Sequence, residues 1–255
     1  MRIAPMLITC LACAATAAAG ERSEAELRRL IDAHQRTGGD AAAASQIDRM
    51  AGQVNAMRSR LFWHTNLGEA MAVARHANKP ILSLRLLGRL DEEMSCANSR
   101  FFRKTLYVDP TIAAALRERY VLHWESLRPV PIVTVDYGEG RTVKRTLTGN
   151  SIHYLLSPAG EVVDAIPGLV DAETFAREVK SFADWVAACP SPTAEQAKAY
   201  RAAKLNALAS VPRTAQPAAP RKADTAARRA MAKSVLQVPL LRATRNPSRA
   251  VRRTR

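Results

Sequence analysis

Between residues 61 and 188 the apolar residues switch repeatedly from the 3.6-residue period of a helix to the two-residue period of a strand and back. That alternation restricts the region to an α/β fold, because each amphipathic helix must bury its stripe on the face of a sheet. "LGEAMAVARHAN" reads as a helix closed by Asn78, and "KPILSLRLL" as a strand with proline tolerated at its start. "DPTIAAALRERY" opens a helix with Asp109 as N-cap and Pro110 at the first helical position. "YVLHWES" alternates as a strand, and "PIVTVDYGEGRTVKRTL" reads as two strands around a Gly-Glu-Gly turn. "IHYLLSPAGEVVDAI" is a second hairpin, turned by Ser-Pro-Ala-Gly. "DAETFAREVKSFADWVAAC" closes the region as a helix with Phe175, Val179, Phe182 and Val186 on one face.

The flanks have a different character. Residues 21–60 read as a helical N-terminal arm: Ser23 stands three residues before Glu26 as in a capping box, "TGGD" breaks the helix, and "AAAASQIDRM" resumes it. Ahead of it, "MRIAPMLITCLACAATAAAG" has Arg2, an apolar run and small residues at 17–19, the layout of a signal peptide over 1–20. An exported, periplasmic or secreted protein is therefore expected, with a buried N-terminal helix as the competing reading. A lipoprotein is not expected, since no leucine-type residue stands three places before Cys13.

Residues 189–210 read as a possible further helix, and 211–255 as a disordered basic tail. The last 35 residues hold eleven Lys/Arg against Asp224, which is +10 of the net charge of +15. The charge thus describes the tail more than the domain. It suits contact between 221–255 and an anionic surface, a solvated arm being the alternative; no nucleic acid partner is expected of an exported chain.

Removing residues 1–20 leaves two cysteines, Cys96 and Cys189. Beyond residues 1–20 no CxxC, HxH or HExxH spacing exists, so no metal and no cofactor is expected. In "EEMSCANSRFFRKTL" Cys96 falls at a helix start, where the dipole and unpaired N–H groups favour thiolate. Arg100 and Arg103 add positive potential; Asp91, Glu92 and Glu93 oppose it.

Helix, strand, a helix beginning at a cysteine, strand, closing hairpin and final helix resembles the thioredoxin-like family. "EAMAVARHANKPILSL" is similar to the approach to that family's active-site strand, and "GNSIHYLLSPAGEVVDAIPGL" to its closing hairpin. The resemblance covers about 61–188 and implies an α/β three-layer sandwich of thioredoxin-like type and thiol–disulfide chemistry. The sequence departs from the family in four places. Ser99 replaces the resolving cysteine, giving CxxS. Ser151 stands where the cis-proline is expected, and because a non-proline cis bond costs about 3 kcal/mol, a trans peptide is expected there. "GRLDEEMS" lengthens the loop before the thiol, and a hairpin over 131–147 takes the place of a helix.

A thiol without a resolving partner can hold a client or accept a glutathione-like thiol, but cannot readily cycle as a dithiol reductase. The resemblance thus makes Cys96 and Ser99 the catalytic candidates of a monothiol redox or isomerase-like role. Asn150, Ser151, Arg100 and Arg103 are candidate client-binding residues. The alternative is a non-catalytic binding or assembly module in which Cys96 is only a small apolar side chain at a helix start. The resemblance also implies a final helix that starts at the Cys96 pole and runs away from it; over Asp171–Ala187 that is about 25 Å, and a disulfide needs Cα atoms within about 7 Å. No intramolecular Cys96–Cys189 bridge is therefore expected. Client and oligomeric state are not specified by the sequence.

Overall fold

Side-chain caps set the helix starts. Ser23 accepts the Glu26 N–H at 3.2 Å and opens α1 (Glu24–Thr37); Asp40 opens α2 (Ala41–Ala51) in the same way. Asn66 caps α4 (Leu67–Ala77), Asp109 caps α6 (Pro110–Arg119) through two N–H groups at 3.0 Å, and Asp171 caps α7 (Ala172–Ala188). Gly38, with φ +63°, stops α1 in the left-handed conformation that glycine adopts at little cost. The computed structural model describes residues 22–146, 149–189 and 191–210. The readings made for 1–20 and 211–255 lie outside the described residues.

The chain is a mixed α/β protein built on a five-stranded mixed sheet. Its strands are β1 (Trp63–His64), β2 (Ile81–Leu87), β3 (Val121–Arg128), β6 (Ser151–Leu156) and β7 (Val162–Pro167), in the order β1-β3-β2-β6-β7. The first three run parallel; β6 and β7 are antiparallel neighbours on the other side of β2. β2 is central and buried along its whole length, which its near-continuous apolar run requires. A separate two-stranded ribbon, β4 (Ile132–Asp136) with β5 (Thr142–Thr146), is inserted between β3 and β6.

The sheet carries a layer on each face. On one, Ala70 and Ala74 of α4 pack on Ile81, Val121, Tyr154, Leu156 and Val162. On the other, Ile112 and Leu116 of α6 and Phe175, Val179, Phe182 and Val186 of α7 close the main core over Leu82, Leu84 and Leu155. Each of those four α7 side chains is fully buried, and burying one of that size contributes about 1.5–3 kcal/mol. After α7, α8 (Ala194–Ser210) folds back on the domain. Ala197 enters the core, Tyr200 packs on Trp185 and Phe182, and Lys204 reaches Asp164 of β7 and Glu178 of α7.

The N-terminal helices, with the short α3 (Ala56–Ser59), form a satellite core of Leu27, Ile31, Ile47, Ala51 and Ala56. Buried and half-buried hydrogen bonds fasten it to the domain. The Trp63 indole donates to Gln53 at 2.7 Å, the Trp124 indole to the Gly52 carbonyl at 2.8 Å, and Arg22 Nη2 to the Trp63 carbonyl at 2.6 Å. No described helix is long and apolar enough to cross a membrane.

Candidate functional site

Cys96 is the N-cap of α5 (Ala97–Phe101), which continues as a π-helical turn over Phe102–Leu106. The thiol follows β2 by way of a loop held close to the sheet. Gly88 has φ +72°, and a Cβ there would meet Ser95 Cα and Val130 Cγ1 at 3.2 Å, so the close approach needs glycine twice over. The Cys96 N–H returns to the Leu87 carbonyl at 3.3 Å. The acids of this loop are engaged elsewhere. Asp91 makes two bonds to Arg89, at 2.9 and 2.7 Å, Glu92 lies 3.3 Å from Arg89 Nε, and Glu93 lies 3.4 Å from Asn55 Nδ2.

Cys96 has no solvent exposure and belongs to the main core. Its sulfur accepts the Ser99 N–H at 3.4 Å and donates to the Asn150 carbonyl at 3.8 Å. The Ser99 main chain, not its hydroxyl, therefore meets the sulfur. The hydroxyl sits 2.7 Å from Ser95 Oγ and 2.9 Å from the Cys96 carbonyl, as a first-turn serine satisfying its surroundings. Ser95 Oγ also accepts Arg103 Nη2 at 3.0 Å. Arg103 is wholly buried, and its Nε and Nη1 have no hydrogen-bond partner among the described residues. Burial lowers its pKa, with Glu93 acting in the opposite sense. A side chain expected among client contacts thus lies under the helix, out of a client's reach, while Arg100 is half-buried.

The structure does bring the 149–151 loop onto the thiol. Asn98 Nδ2 donates to Ser151 Oγ at 2.9 Å, Ser151 is buried, and Asn150 is exposed while its carbonyl faces the sulfur. A Cβ on Gly149 would stand 2.1 Å from Asn98 Oδ1 and 3.2 Å from the Asn98 backbone nitrogen. Gly149→Ala is therefore expected to lift the loop, break the Asn98–Ser151 bond and expose the thiol. The check is Cys96 alkylation, which should be faster in the variant than in the parent at unchanged secondary structure. No cis peptide bond occurs among the described residues.

Beneath the thiol is a buried group that sequence reasoning left unassigned. His153 Nε2 and the Tyr107 hydroxyl are 2.6 Å apart, ringed by Phe102 and Phe175. Burial alone holds the His153 pKa down at about 3. On the α4 face, His123 bonds Ser83 Oγ through Nδ1 at 2.8 Å. Burial, helped by Arg85 and His64, lowers its pKa to about 3 as well. Beside it Arg85 pairs with Glu125 across β2 and β3. Both imidazoles are buried in the sheet, and Tyr107 shares the main core with Cys96.

Cys189 is a free, half-buried thiol at the end of α7, with Gln196 Nε2 3.9 Å from its sulfur; Cys96 is free too. A shallow cleft of about 130 Å³ lies on the far sheet edge, between Phe62, His64, Val73, Lys79, Arg117 and Tyr120, and shares no residue with the thiol pole. Among the described residues no three His, Cys, Asp or Glu side chains are grouped as a metal site would need. The chain matches no protein-family model and no curated protein.

Proposed function

We propose that this chain is a thioredoxin-like module that binds or assembles other protein surfaces and does not exchange disulfides. The observation that carries this reading is the burial of Cys96, whose sulfur is spent on the Ser99 N–H and the Asn150 carbonyl. A thiol attacks a disulfide only when its sulfur can be approached along the bond that breaks, and a core thiol cannot be. Support for the thioredoxin-like part comes from the β1-β3-β2-β6-β7 order, the thiol capping the helix after β2, and the loop before β6 that covers it. Export belongs to the same reading and rests on residues 1–20 of the sequence alone.

The monothiol reading keeps one point in its favour: an N–H aimed at the sulfur would stabilise a thiolate once the loop opened. Alkylation of the native full chain by iodoacetamide separates the two readings, with Cys189 as internal reference. If opening the loop costs about 3 kcal/mol, Cys96 labels roughly a hundredfold more slowly than a free thiol. Full labelling is expected only after unfolding in urea. Rapid labelling, or a mixed disulfide formed with glutathione disulfide in the native state, would replace this proposal with the monothiol role.

A further inference from the structure

We propose that β4 is an assembly edge through which two copies of this chain pair, the β4 strands lying antiparallel across a two-fold axis at Thr134. This deepens the binding-or-assembly reading above and rests on it. Three of the four large apolar side chains most exposed among the described residues are on this strand and its turn: Ile132 at 50%, Val135 at 39% and Tyr137 at 63%. The ribbon has no third strand on either edge among the described residues, and an isolated two-stranded hairpin is marginal in water.

The two edges are not equivalent. The Tyr137 N–H bonds the Arg141 carbonyl, and from that pair the antiparallel ladder alternates. Ile132, Thr134 and Asp136 accordingly turn their N–H and C=O groups outward on β4, and Thr142, Lys144 and Thr146 do so on β5. A second β5 laid antiparallel about its centre would set Lys144 directly against Lys144 of its partner, which is destabilising. Lys144 and Arg145 thus guard that edge against pairing.

On β4 the same operation sets Thr134 against Thr134, and Ile132 against Asp136. Val133 meets Val135 on both sides of the axis. The outward groups of Ile132, Thr134 and Asp136 then all find partners, and no like charges oppose. Val133–Val135 falls in the non-hydrogen-bonded position, where cross-strand side chains approach most closely. Being the same patch on both copies, the contact is isologous and closes at a dimer. Five residues a side bury less than the roughly 1,200 Å² of a standard interface, so the dimer forms and dissociates with concentration.

Sedimentation of the full chain over a hundredfold concentration range tests this. The mass is expected to rise from monomer toward dimer. Thr134→Glu keeps the ribbon, because Glu would face Lys144 on β5, but it sets two carboxylates together at the axis. It should weaken association roughly tenfold or more. Thr134→Pro removes only an outward N–H and should weaken it likewise, while Lys144→Glu on the guarded edge should not. A parent that stays monomeric throughout, or a dimer indifferent to both Thr134 variants, overturns the proposal. So does slow hydrogen exchange at the Ile132, Thr134 and Asp136 amides in dilute monomer, which would mean that the chain's own residues cover the edge. Cys96 labelling reads the thiol alone, so the two proposals fail separately.

Discussion

Lowering the pH from 7 to 4.5 is expected to remove about 5 kcal/mol of stability, enough to unfold a domain of ordinary marginal stability. The cause is the pair of buried imidazoles. Folded, His123 and His153 stay neutral down to about pH 3; unfolded, they take up protons below their ordinary value of 6.5. Between those limits the unfolded chain binds more protons, so stability is fully present above pH 6.5 and falls as the pH drops. Each histidine contributes about 1.4 kcal/mol per pH unit over that window. His153 has nothing charged against it, only Tyr107, Phe102 and Phe175. Arg85 and His64 oppose a charge on His123, and neighbouring Glu125 is paired with Arg85. Urea midpoints measured between pH 6 and 4 should show a slope of at least about two protons, since His64, Asp171 and Asp184 are also shifted down and add to it. His153→Gln and His123→Gln should each reduce it by one. A parent slope below one proton would contradict the burial described for both rings.

Lys204→Met is expected to cost about 3–5 kcal/mol, although the residue lies in the last described helix, outside the sheet. Asp164 is fully buried in β7 and Glu178 nearly so in α7, and Lys204 pairs with both, 3.4 Å from Asp164 and in contact with Glu178. Burial alone would lower the Lys204 pKa, but the two carboxylates hold it above its ordinary value. Removing the ammonium takes a cation away from two carboxylates in a poorly solvated place. Urea unfolding of Lys204→Met should show the loss, and adding Asp164→Asn with Glu178→Gln should restore most of it. If the single variant is as stable as the parent, α8 is a passive appendage and not part of the domain.

The helix starts at Ser23 and Asp109 were legible because a cap is settled within three residues: each bonds an N–H two or three positions on. The hairpins were legible for the same reason, through Gly-Glu-Gly and Ser-Pro-Ala-Gly. The face of His153 was not, because in "SIHYLL" both alternate rows carry apolar residues and a two-residue period cannot choose between them. Arg103 shares a helical stripe with Cys96 and Ser99, as the spacing indicates. Its charge argued for solvent, and only the packing of the π-helical turn against the core puts a guanidinium inside. Docking of α8 was hidden for a related reason. Its inward stripe is Ala197, Tyr200 and Lys204, and a lysine does not register as an apolar position.

The candidate site divides along the same line. That a thiol stands at a helix start follows from order along the chain, and the place of Asn150 and Ser151 near it was what the family resemblance implied. That the sulfur is sealed depends on how closely Gly149 lets the loop approach Asn98, where a Cβ would stand only 2.1 Å from Oδ1.

The ribbon bears also on how the molecule unfolds. Its strands make their main contacts with each other, whereas the five-stranded sheet shares side chains with α4, α6, α7 and α8. Cooperativity needs shared contacts, so the ribbon opens on its own free energy and the body on another. Among the described residues the ribbon is a thermodynamic unit apart from the body, and a melting temperature read from the tryptophans, which lie in the sheet and in α7, reports the body alone.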